Sequence, residues 1–444
     1  MQDTLPATIE LLTTFSQKPI DEEWSFAECK PSETAKWTHS YHRYPAKFIP
    51  QLVEKLFDEY IDSKTASVND PFMGSGTTIV SAISRGFYAS GTDINRIAFL
   101  ITKAKSRPIP PTYLDIKLQE FLQELESLWP RQENPHLNQL QRIEPLIPEK
   151  HLERINYWFP EENTIKLGQI LRLISREEDA YIKDFLLVAF SNVLKNCSIW
   201  LKSSTKPTRD FKKLPENPYD AIRRHLRKMQ RGNDALFYQV PHNVRDSVDQ
   251  YLNLVNGDAK QQPVPGDSVD LIVTSSPYVT SYEYADLHQL STIWLDLAED
   301  LTEYKKEFIG TSFKKYEDRQ LQSRIAEKIV ADMSEQSRKM AKEIEAFFID
   351  MQDVIGESYR ILRKGGRACY VIGNTKLRGV DILNGEVFGE IMLNSGFALD
   401  RIIKRQIPSK ILPQTRDAKT GKFAKTSEAD NHAYPWEYIV IGKK

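Results

Sequence analysis

The stretch Asp70-Pro71-Phe72-Met73-Gly74-Ser75-Gly76-Thr77-Thr78 (residues 70–78) decides the fold. Residues 66–72 (ASVNDPF) are typical of a short strand that ends in an acid, and residues 77–85 predict a helix. The glycines between them let the backbone approach a ligand closely, and the helix would present its first N–H groups to that ligand. The stretch therefore predicts a strand, a ligand-binding loop and a helix.

A second short strand, residues 87–93 (FYASGTD), ends at Asp93, which lies 17 residues after Gly76. An acid at the tip of this strand is placed to accept hydrogen bonds from both hydroxyls of a ribose. The glycines alone are equally compatible with an ordinary strand-to-helix turn, but the two acids favour the nucleotide-binding crevice of a doubly wound α/β sheet. The loop ends in Gly-Thr-Thr without a Walker lysine, which disfavours a triphosphate ligand.

A hydrophobic strand, residues 268–275 (SVDLIVTS), stops abruptly at Ser276-Pro277-Tyr278. In isolation this pattern is also compatible with a plain turn after a strand. It has the groups that chemistry on an exocyclic amine needs, because that amine is a poor nucleophile and its hydrogens need acceptors while an aromatic face holds the base. Ser275 and the main-chain carbonyl of Ser276 can accept, and Tyr278 can stack.

These two segments resemble motifs of the amino-group DNA methyltransferases of restriction-modification systems. In that family an FxGxG loop binds the methionine end of S-adenosylmethionine, and a (D/N/S)PP(Y/F) tetrapeptide holds the target amine. Residues 72–76 match the first motif throughout, and residues 275–278 match the second at three of four positions. Ser276 stands where the family has its first proline, and its main-chain carbonyl is retained.

Two further segments are similar to elements of the family. Residues 42–48 (HRYPAKF) resemble an HxYPAKF element that lines the methionine pocket, and residues 256–258 (NGD) resemble the acid-bearing turn near the adenine. The resemblance implies a catalytic tetrapeptide of Ser275, Ser276, Pro277 and Tyr278. The cofactor-binding residues that it implies are His42, Tyr44, Pro45, Ala46, Lys47, Phe48, Asp70, Pro71, Phe72, Gly74, Ser75, Gly76, Thr77, Thr78, Asp93, Ile94 and Asp258.

The same resemblance predicts a Rossmann-like, S-adenosylmethionine-dependent methyltransferase sheet with a mainly helical insertion. We expect residues 37–100 and 254–444 to form the catalytic domain and residues 101–253 to form the inserted region that recognises the DNA target. Residues 1–36 are expected to be an irregular N-terminal extension. Helices are predicted at 115–128, 164–176, 180–200, 303–345 and 344–364, and further strands at 367–374, 397–407 and 437–442, the last two as an antiparallel pair.

The segment Lys202–Arg231 carries ten lysines and arginines against three acids, interleaved with Trp200, Phe211 and Tyr219. Such a composition is typical either of a solvated helix face or of contacts with DNA phosphates and base edges. With the methyltransferase resemblance we favour DNA contact, through a subset of basic residues: Arg223, Arg224, Arg227 and Lys228. Just after the tetrapeptide, Tyr282, Tyr284 and His288 are candidates to flank a flipped base, although a purely structural role is favoured for His288.

Composition limits the class of protein. The 444 residues include 40% hydrophobic and 27% charged residues with a net charge of −1, which predicts a globular protein rather than one that coats nucleic acid. There is no apolar run of about 18 residues and no secretion signal in MQDTLPATIELL, so a cytoplasmic location is expected. The three cysteines include no CxxC pair and suggest neither disulfides nor a metal site.

The expected reaction is methyl transfer to the N4 amine of cytosine in double-stranded DNA, with a cognate restriction endonuclease as a separate partner. Ser275 favours cytosine, because family members that methylate cytosine N4 mostly begin the tetrapeptide with Ser and those that methylate adenine N6 with Asp or Asn. Adenine N6 stays an alternative. An RNA amino-group methyltransferase is less favoured because no appended RNA-binding module is recognisable, and a catalytically silent DNA-binding protein is disfavoured by the intact cofactor loop.

Overall fold

The structure, a computed structural model, describes residues 4–44, 48–128, 143–204, 207–279, 284–310, 319–407, 415–416, 431–432 and 435–444. The helices are α1 (Thr4–Gln17), α2 (Pro31–Thr34), α3 (Pro50–Tyr60), α4 (Thr77–Ser84), α5 (Arg96–Ser106), α6 (Pro111–Leu128), α7 (Leu152–Trp158), α8 (Glu161–Ser175), α9 (Ala180–Cys197), α10 (Pro218–Gln239), α11 (His242–Arg245), α12 (Tyr284–Leu287), α13 (Gln289–Trp294), α14 (Leu301–Glu307), α15 (Arg324–Gln336), α16 (Arg338–Ile361) and α17 (Asn384–Asn394). The strands are β1 (Ser67–Asp70), β2 (Tyr88–Asp93), β3 (Leu252–Asn256), β4 (Val269–Ser275), β5 (Leu362–Ile372), β6 (Thr375–Leu377), β7 (Val380–Ile382), β8 (Ala398–Gln406), β9 (Thr415–Arg416), β10 (Asn431–His432) and β11 (Trp436–Lys443).

Seven strands form the central sheet in the order β3-β2-β1-β4-β5-β11-β8. The neighbours from β3 to β5 are parallel, whereas β11 runs antiparallel to both β5 and β8. The mostly parallel sheet with helices on both sides and the closing antiparallel pair are therefore confirmed. The strand order reverses direction between β1 and β4, and ligands of open α/β sheets bind at such a switch point, beyond the carboxyl ends of the strands.

The two faces of the sheet are covered by different helices, as the period-two burial of its strands requires. On β4, Leu271 and Val273 face a hydrophobic cluster that contains Leu52 of α3 and Ile79 of α4. Ile272 between them faces the opposite cluster, which contains residues of α15, α16 and α17. Both faces of β4 are thus buried, which explains why its sequence is a nearly continuous apolar run.

A third hydrophobic cluster joins α5 to α10 with α13. Between α5 and β3 the described residues are helical apart from turns and an isolated bridge, as the sequence predicted for the insertion. Helix α13, which follows the tetrapeptide in sequence, packs into the same cluster through Leu290, Ile293 and Trp294. The division at 101–253 and its role in target recognition remain proposals.

The prediction that residues 1–36 are irregular was wrong. Helix α1 buries Leu11 and Phe15, which are four residues apart on one helix face, against the cluster that includes α17. The Phe15 ring meets the Tyr438 ring of β11 edge to face at 5.1 Å between centroids. The N-terminal segment is thus part of the packing of the catalytic sheet.

Two predicted boundaries also need correction, and one strand was missed. The single charged helix at 303–345 is instead α14, α15 and the start of α16, and residues 311–318 lie outside the described residues. Helix α16 ends at Ile361, before the predicted Lys364-Gly365-Gly366 stop, because β5 already begins at Leu362. Strand β3 was not predicted, since its sequence LNLVN alternates with polar residues at a half-buried sheet edge.

Within the part of the chain that the structure describes, no helix is both long and apolar enough to cross a membrane. Among those same residues, no group of three or more His, Cys, Asp or Glu side chains could hold a metal ion.

Candidate active site at the carboxyl edge of the sheet

Two loops lie side by side at the switch point of the sheet. Strand β1 leads into the Pro71–Gly76 loop and β4 leads into Ser276-Pro277-Tyr278, and the two strands are parallel partners, with Val68 opposite Leu271. Phe72 from the first loop and Tyr278 from the second are half-buried against the same hydrophobic cluster. The sheet thus brings the two predicted motifs, which are about 200 residues apart in sequence, to one edge.

The Pro71–Gly76 loop needs its glycines. Gly74 and Gly76 have φ angles of +48° and +73°, a region that favours glycine. A Cβ atom on Gly76 would lie 2.8 Å from the side chain of Thr102, and one on Gly74 would lie 3.4 Å from the Tyr44 ring. Pro71, Ser75, Thr77 and Thr78 are buried around this loop, and the Thr78 hydroxyl donates to the carbonyl of Val273 at 3.0 Å, which ties the loop to β4.

Helix α5 fixes the carbonyl groups of the loop. The Thr102 hydroxyl donates to the carbonyl of Gly74 at 2.9 Å, and the buried Lys105 ammonium donates to the carbonyl of Ser75. Sequence reasoning missed both residues, because a threonine and a lysine on an amphipathic helix give no distinctive signal. These two hydrogen bonds hold the carbonyls of Gly74 and Ser75 toward α5 and so stabilise the conformation of the Pro71–Gly76 loop.

Two carboxyl groups lie at the ends of β1 and β2. Asp93 accepts from the backbone N–H of Gly74 and of Asn95, each at 2.8 Å, so its two oxygens hold the loop and still have further lone pairs. Burial raises the pKa of Asp93 to about 6 against these hydrogen bonds. Burial also raises the pKa of Asp70 to about 7, although the hydroxyls of Thr274 and Thr78 act in the opposite direction. Ligand groups that donate hydrogen bonds would stabilise both carboxylates.

The third strand end supplies the acid-bearing turn. Asn256 of β3 lies opposite Asp93, and its amide donates to the carbonyls of Asp93 and Ile94 at 2.8 and 3.1 Å. Asp258 follows at the same edge and lies 3.5 Å from the ammonium of Lys260, which also pairs with Asp350. Ile94 and Asp258 are half-buried, and their predicted contacts with a cofactor stay predictions.

The described residues of the upstream HRYPAKF element, residues 42–48, have different contacts. Tyr44 packs against the Gly74 position and against His288, with ring centroids 5.0 Å apart. His42 is buried, and its ring nitrogens contact the Ser191 hydroxyl and the Arg43 carbonyl, both at 2.9 Å. Burial, followed by the neighbouring His288, lowers the pKa of His42 well below its usual value, which keeps it neutral. Phe48 is part of the core, whereas Pro45, Ala46 and Lys47 lie outside the described residues.

In the tetrapeptide, Ser275 ends β4 and is half-buried, and Ser276 is buried. The Ser276 hydroxyl is buried and has no hydrogen-bond partner among the described residues. The Tyr278 hydroxyl donates to Glu437 at 3.4 Å, and the Glu437 carboxylate is held at 2.9 Å by the buried Arg405 guanidinium. Sequence reasoning missed Glu437 and Arg405, which come from the C-terminal antiparallel pair.

His288 lies between the upstream element and the residues that follow β2. It is buried, its Nδ1 lies 3.2 Å from the side-chain amide of Asn95, and its ring packs on Tyr44. This position next to Asp93 agrees with a structural role. Tyr282 and the side chain of Tyr284 lie outside the described residues.

The four predicted DNA-contacting residues lie on α10. Arg223 pairs with Asp220 at 3.6 Å and Arg224 pairs with Glu216 at 2.5 Å, while Arg227 and Lys228 are exposed. Desolvation of the ammonium, followed by the neighbouring Arg43, lowers the pKa of Lys228. The basic face of α10 is therefore close to Arg43 of the upstream element, on the side of the candidate site.

The sequence of this chain is similar to a family model and to individual known proteins. A family model described as DNA methylase (N6_N4_Mtase) matches residues 8–104. The Type II methyltransferase M.MvaI of Kocuria varians is 24% identical over 452 residues, which cover 96% of this chain and 94% of the relative. The Type II methyltransferase M.AvaI of Nostoc sp. is 23% identical over 409 residues, covering 83% and 81% of the two chains. The Type II methyltransferase M.BsoBI of Geobacillus stearothermophilus is 22% identical over 419 residues, covering 80% and 78%.

The family match covers the Pro71–Gly76 loop, and the similarity to Type II methyltransferases extends along nearly the whole chain. Together with the Rossmann-like sheet, these findings support the amino-group (N4-cytosine/N6-adenine) DNA methyltransferases of restriction-modification systems as the family that this chain resembles.

Proposed function

We propose that this protein transfers a methyl group from S-adenosylmethionine to the N4 amine of a flipped cytosine in double-stranded DNA, and so protects that DNA from a cognate endonuclease. The observation that carries the proposal is that two loops lie side by side at the switch point between β1 and β4. They are the Pro71–Gly76 loop, called the Gly74 loop from here on, and Ser276-Pro277-Tyr278, called the Tyr278 loop. A cofactor and a base held by these two loops would meet at one edge of the sheet.

The residues of the Gly74 loop fit S-adenosylmethionine. The Ser75 hydroxyl is buried without a hydrogen-bond partner among the described residues, and glycine at positions 74 and 76 keeps side-chain atoms away from the loop backbone, which a ligand could approach closely. The Gly74 loop and Tyr44 would hold the methionine moiety, Asp93 the ribose hydroxyls, and Asp258 the adenine. When bound, the cofactor supplies an electrophilic methyl group.

The Tyr278 loop would hold the target. Tyr278 presents an aromatic face on which an extruded base can stack, and the Glu437–Arg405 pair fixes the position of its hydroxyl. The Ser275 hydroxyl and the Ser276 carbonyl would accept the hydrogens of the amine, while positive charge develops on its nitrogen. Pro277 limits the loop to few conformations between these groups.

The choice of cytosine depends on Ser275. A hydroxyl is a weaker acceptor than a carboxylate, and it can also donate toward the ring N3 of cytosine. Adenine N6 is the second candidate, because the family includes both targets.

A transfer assay tests the proposal. Purified protein with methyl-labelled S-adenosylmethionine should label double-stranded DNA, and RNA of the same sequence should stay unlabelled. Sequencing of methylated positions in that DNA would give the recognition site. Label in RNA alone would support the RNA methyltransferase, and cofactor binding by calorimetry without any transfer would support the catalytically silent protein.

The affinity for S-adenosylmethionine should depend on pH. The raised pKa of Asp93, about 6, means that the free protein is relatively stabilised at low pH and loses this contribution as the pH rises through 6. Ribose hydroxyls donate to the ionised carboxylate, so binding should strengthen over the same interval, by about tenfold from pH 5 to pH 7. Calorimetry across this range measures the effect, and Asp93→Asn should bind more weakly and without the pH dependence. A flat profile in the wild-type protein would remove Asp93 from the ribose site.

Neutralising the basic face of α10 should weaken DNA binding. In the variant Arg223→Gln, Arg224→Gln, Arg227→Gln and Lys228→Gln, each lost phosphate contact should reduce the slope of log affinity against log salt by about 0.9. Fluorescence anisotropy with a labelled duplex at several salt concentrations measures the slope. An unchanged slope, with cofactor binding intact, would mean that this face of α10 is only solvated.

A further inference from the structure

Between α9 and α10, the described residues 199–204 and 207–217 belong to a loop that presents two apolar side chains to solvent. Phe211 is 76% exposed and Leu214 is 89% exposed, which makes them the two most exposed large apolar side chains among the described residues. We call this pair the apolar tip. Large apolar side chains at this level of exposure are unfavourable in water and often mark a surface that binds a partner.

The surroundings of the apolar tip are cationic. Lys202, Arg209, Lys212 and Lys213 belong to the same loop and outnumber its acids, Asp210 and Glu216, the second of which lies 3.7 Å from the ammonium of Lys202. The guanidinium of Arg209 lies over the rings of Tyr157 and Phe211, at 4.1 and 4.5 Å from their centroids. This stacking orients the Phe211 ring without covering it, and the charges favour a polyanionic partner.

The base of the loop is firmly held. The Lys213 ammonium donates to the carbonyls of Lys195 and Trp200 at 2.7 and 2.8 Å, and the Trp200 side chain is buried. Backbone bonds from Leu201 to Thr208 and from Asp210 to Ile199 close the loop at 2.9 and 2.8 Å. A rigid base allows the apolar tip to be pushed against a partner without collapsing onto the protein.

The loop begins directly after the end of α9 that contacts the upstream element. Ser191 and Asn192 of α9 bind the His42 ring and the Arg43 backbone N–H, each at 2.9 Å. At its other end, Glu216 pairs with Arg224 of α10. The loop therefore connects the candidate site to the basic face of α10.

We propose that Phe211 and Leu214 form a wedge that inserts between base pairs of double-stranded DNA next to the flipped nucleotide. This inference rests on the proposed function. Apolar wedges unstack a base step and kink the duplex, and surrounding cations hold the phosphates on either side. The apolar tip would fill space that the extruded base leaves, while Lys202 and Lys212 contact the backbone.

The test compares the double variant Phe211→Ala, Leu214→Ala with Tyr238→Ala. Tyr238 is a matched control because it is 73% exposed and lies near the far end of α10, a helix of 22 residues that spans about 30 Å. The probe is a duplex with the sequence found by methylation mapping and 2-aminopurine beside the target base. Affinity is measured at several salt concentrations, and 2-aminopurine fluorescence reports unstacking.

The double variant should bind the duplex at least about fivefold more weakly, because contact with a base contributes about 1–3 kcal/mol. The salt slope should be unchanged, because no charge is removed, and the 2-aminopurine signal should fall. Tyr238→Ala and the cofactor affinity of all variants should match the wild type. If the wild type methylates DNA and the double variant binds and unstacks it equally well, the wedge is refuted while the proposed function stands. A wild type that neither binds nor methylates any duplex refutes both.

Discussion

Replacing Gly74 with aspartate should abolish binding of S-adenosylmethionine while leaving the protein folded. The φ angle of +48° is tolerated by aspartate better than by most residues, at a cost of roughly 1 kcal/mol in stability. The new side chain would start 3.4 Å from the Tyr44 ring and fill the space assigned to the methionine moiety, close to Asp93. We expect affinity to fall at least about a hundredfold, because a carboxylate would be forced into a site without a partner.

The matched control is Gly379→Asp. Gly379 also has a positive φ angle, +83°, and a Cβ atom there meets nothing within 4 Å. The variant Gly379→Asp also places an aspartate at a positive φ angle and adds the same charge, but it does so between β6 and β7 and not in the Gly74 loop. Calorimetry should show normal cofactor affinity for Gly379→Asp and none for Gly74→Asp. Wild-type affinity in Gly74→Asp would exclude this loop from the cofactor site.

Replacing Tyr278 with alanine should have the opposite signature, with cofactor binding kept and turnover lost. Stacking on a base contributes about 1–3 kcal/mol, so the methylation rate should fall tenfold or more. Single-turnover methylation of a duplex at saturating cofactor and enzyme separates this effect from weaker DNA binding.

Tyr278→Phe distinguishes stacking from hydrogen bonding. Phenylalanine keeps the aromatic face but loses the hydroxyl that donates to Glu437, a bond of 3.4 Å. A neutral hydrogen bond contributes about 1 kcal/mol or less on balance, so the rate should fall much less than in Tyr278→Ala. Equal losses in both variants would assign the role of Tyr278 to the hydroxyl, and an unaltered rate in Tyr278→Ala would remove the residue from the site.

The central strands could be predicted because their pattern is local. Strands β1 and β2 are short and end in the acids Asp70 and Asp93, and β4 is an apolar run that stops at the polar Ser275, so each strand and its end could be located from neighbouring residues. Helix α1 and strand β3 were missed because their identity depends on packing against distant elements. Leu11 and Phe15 are buried by α17 near the other end of the chain, and β3 is stabilised by pairing with β2.

The same distinction applies to the site. The motif residues could be located from sequence, but the groups that hold them could not. Glu437 lies 159 residues from Tyr278, and Lys105 lies 30 residues from Ser75. No spacing rule joins such pairs, since only the fold brings them together.

Mass spectrometry of nucleosides tests the central claim most directly. DNA from cells that express the protein, or DNA methylated in vitro, is digested and its modified bases are identified against an untreated control. Our account predicts N4-methylcytosine, formed at least about tenfold more slowly when Tyr278 is replaced by alanine. N6-methyladenine as the sole product would contradict the assignment of cytosine, and 5-methylcytosine or no modified base at all would contradict methyl transfer to an exocyclic amine.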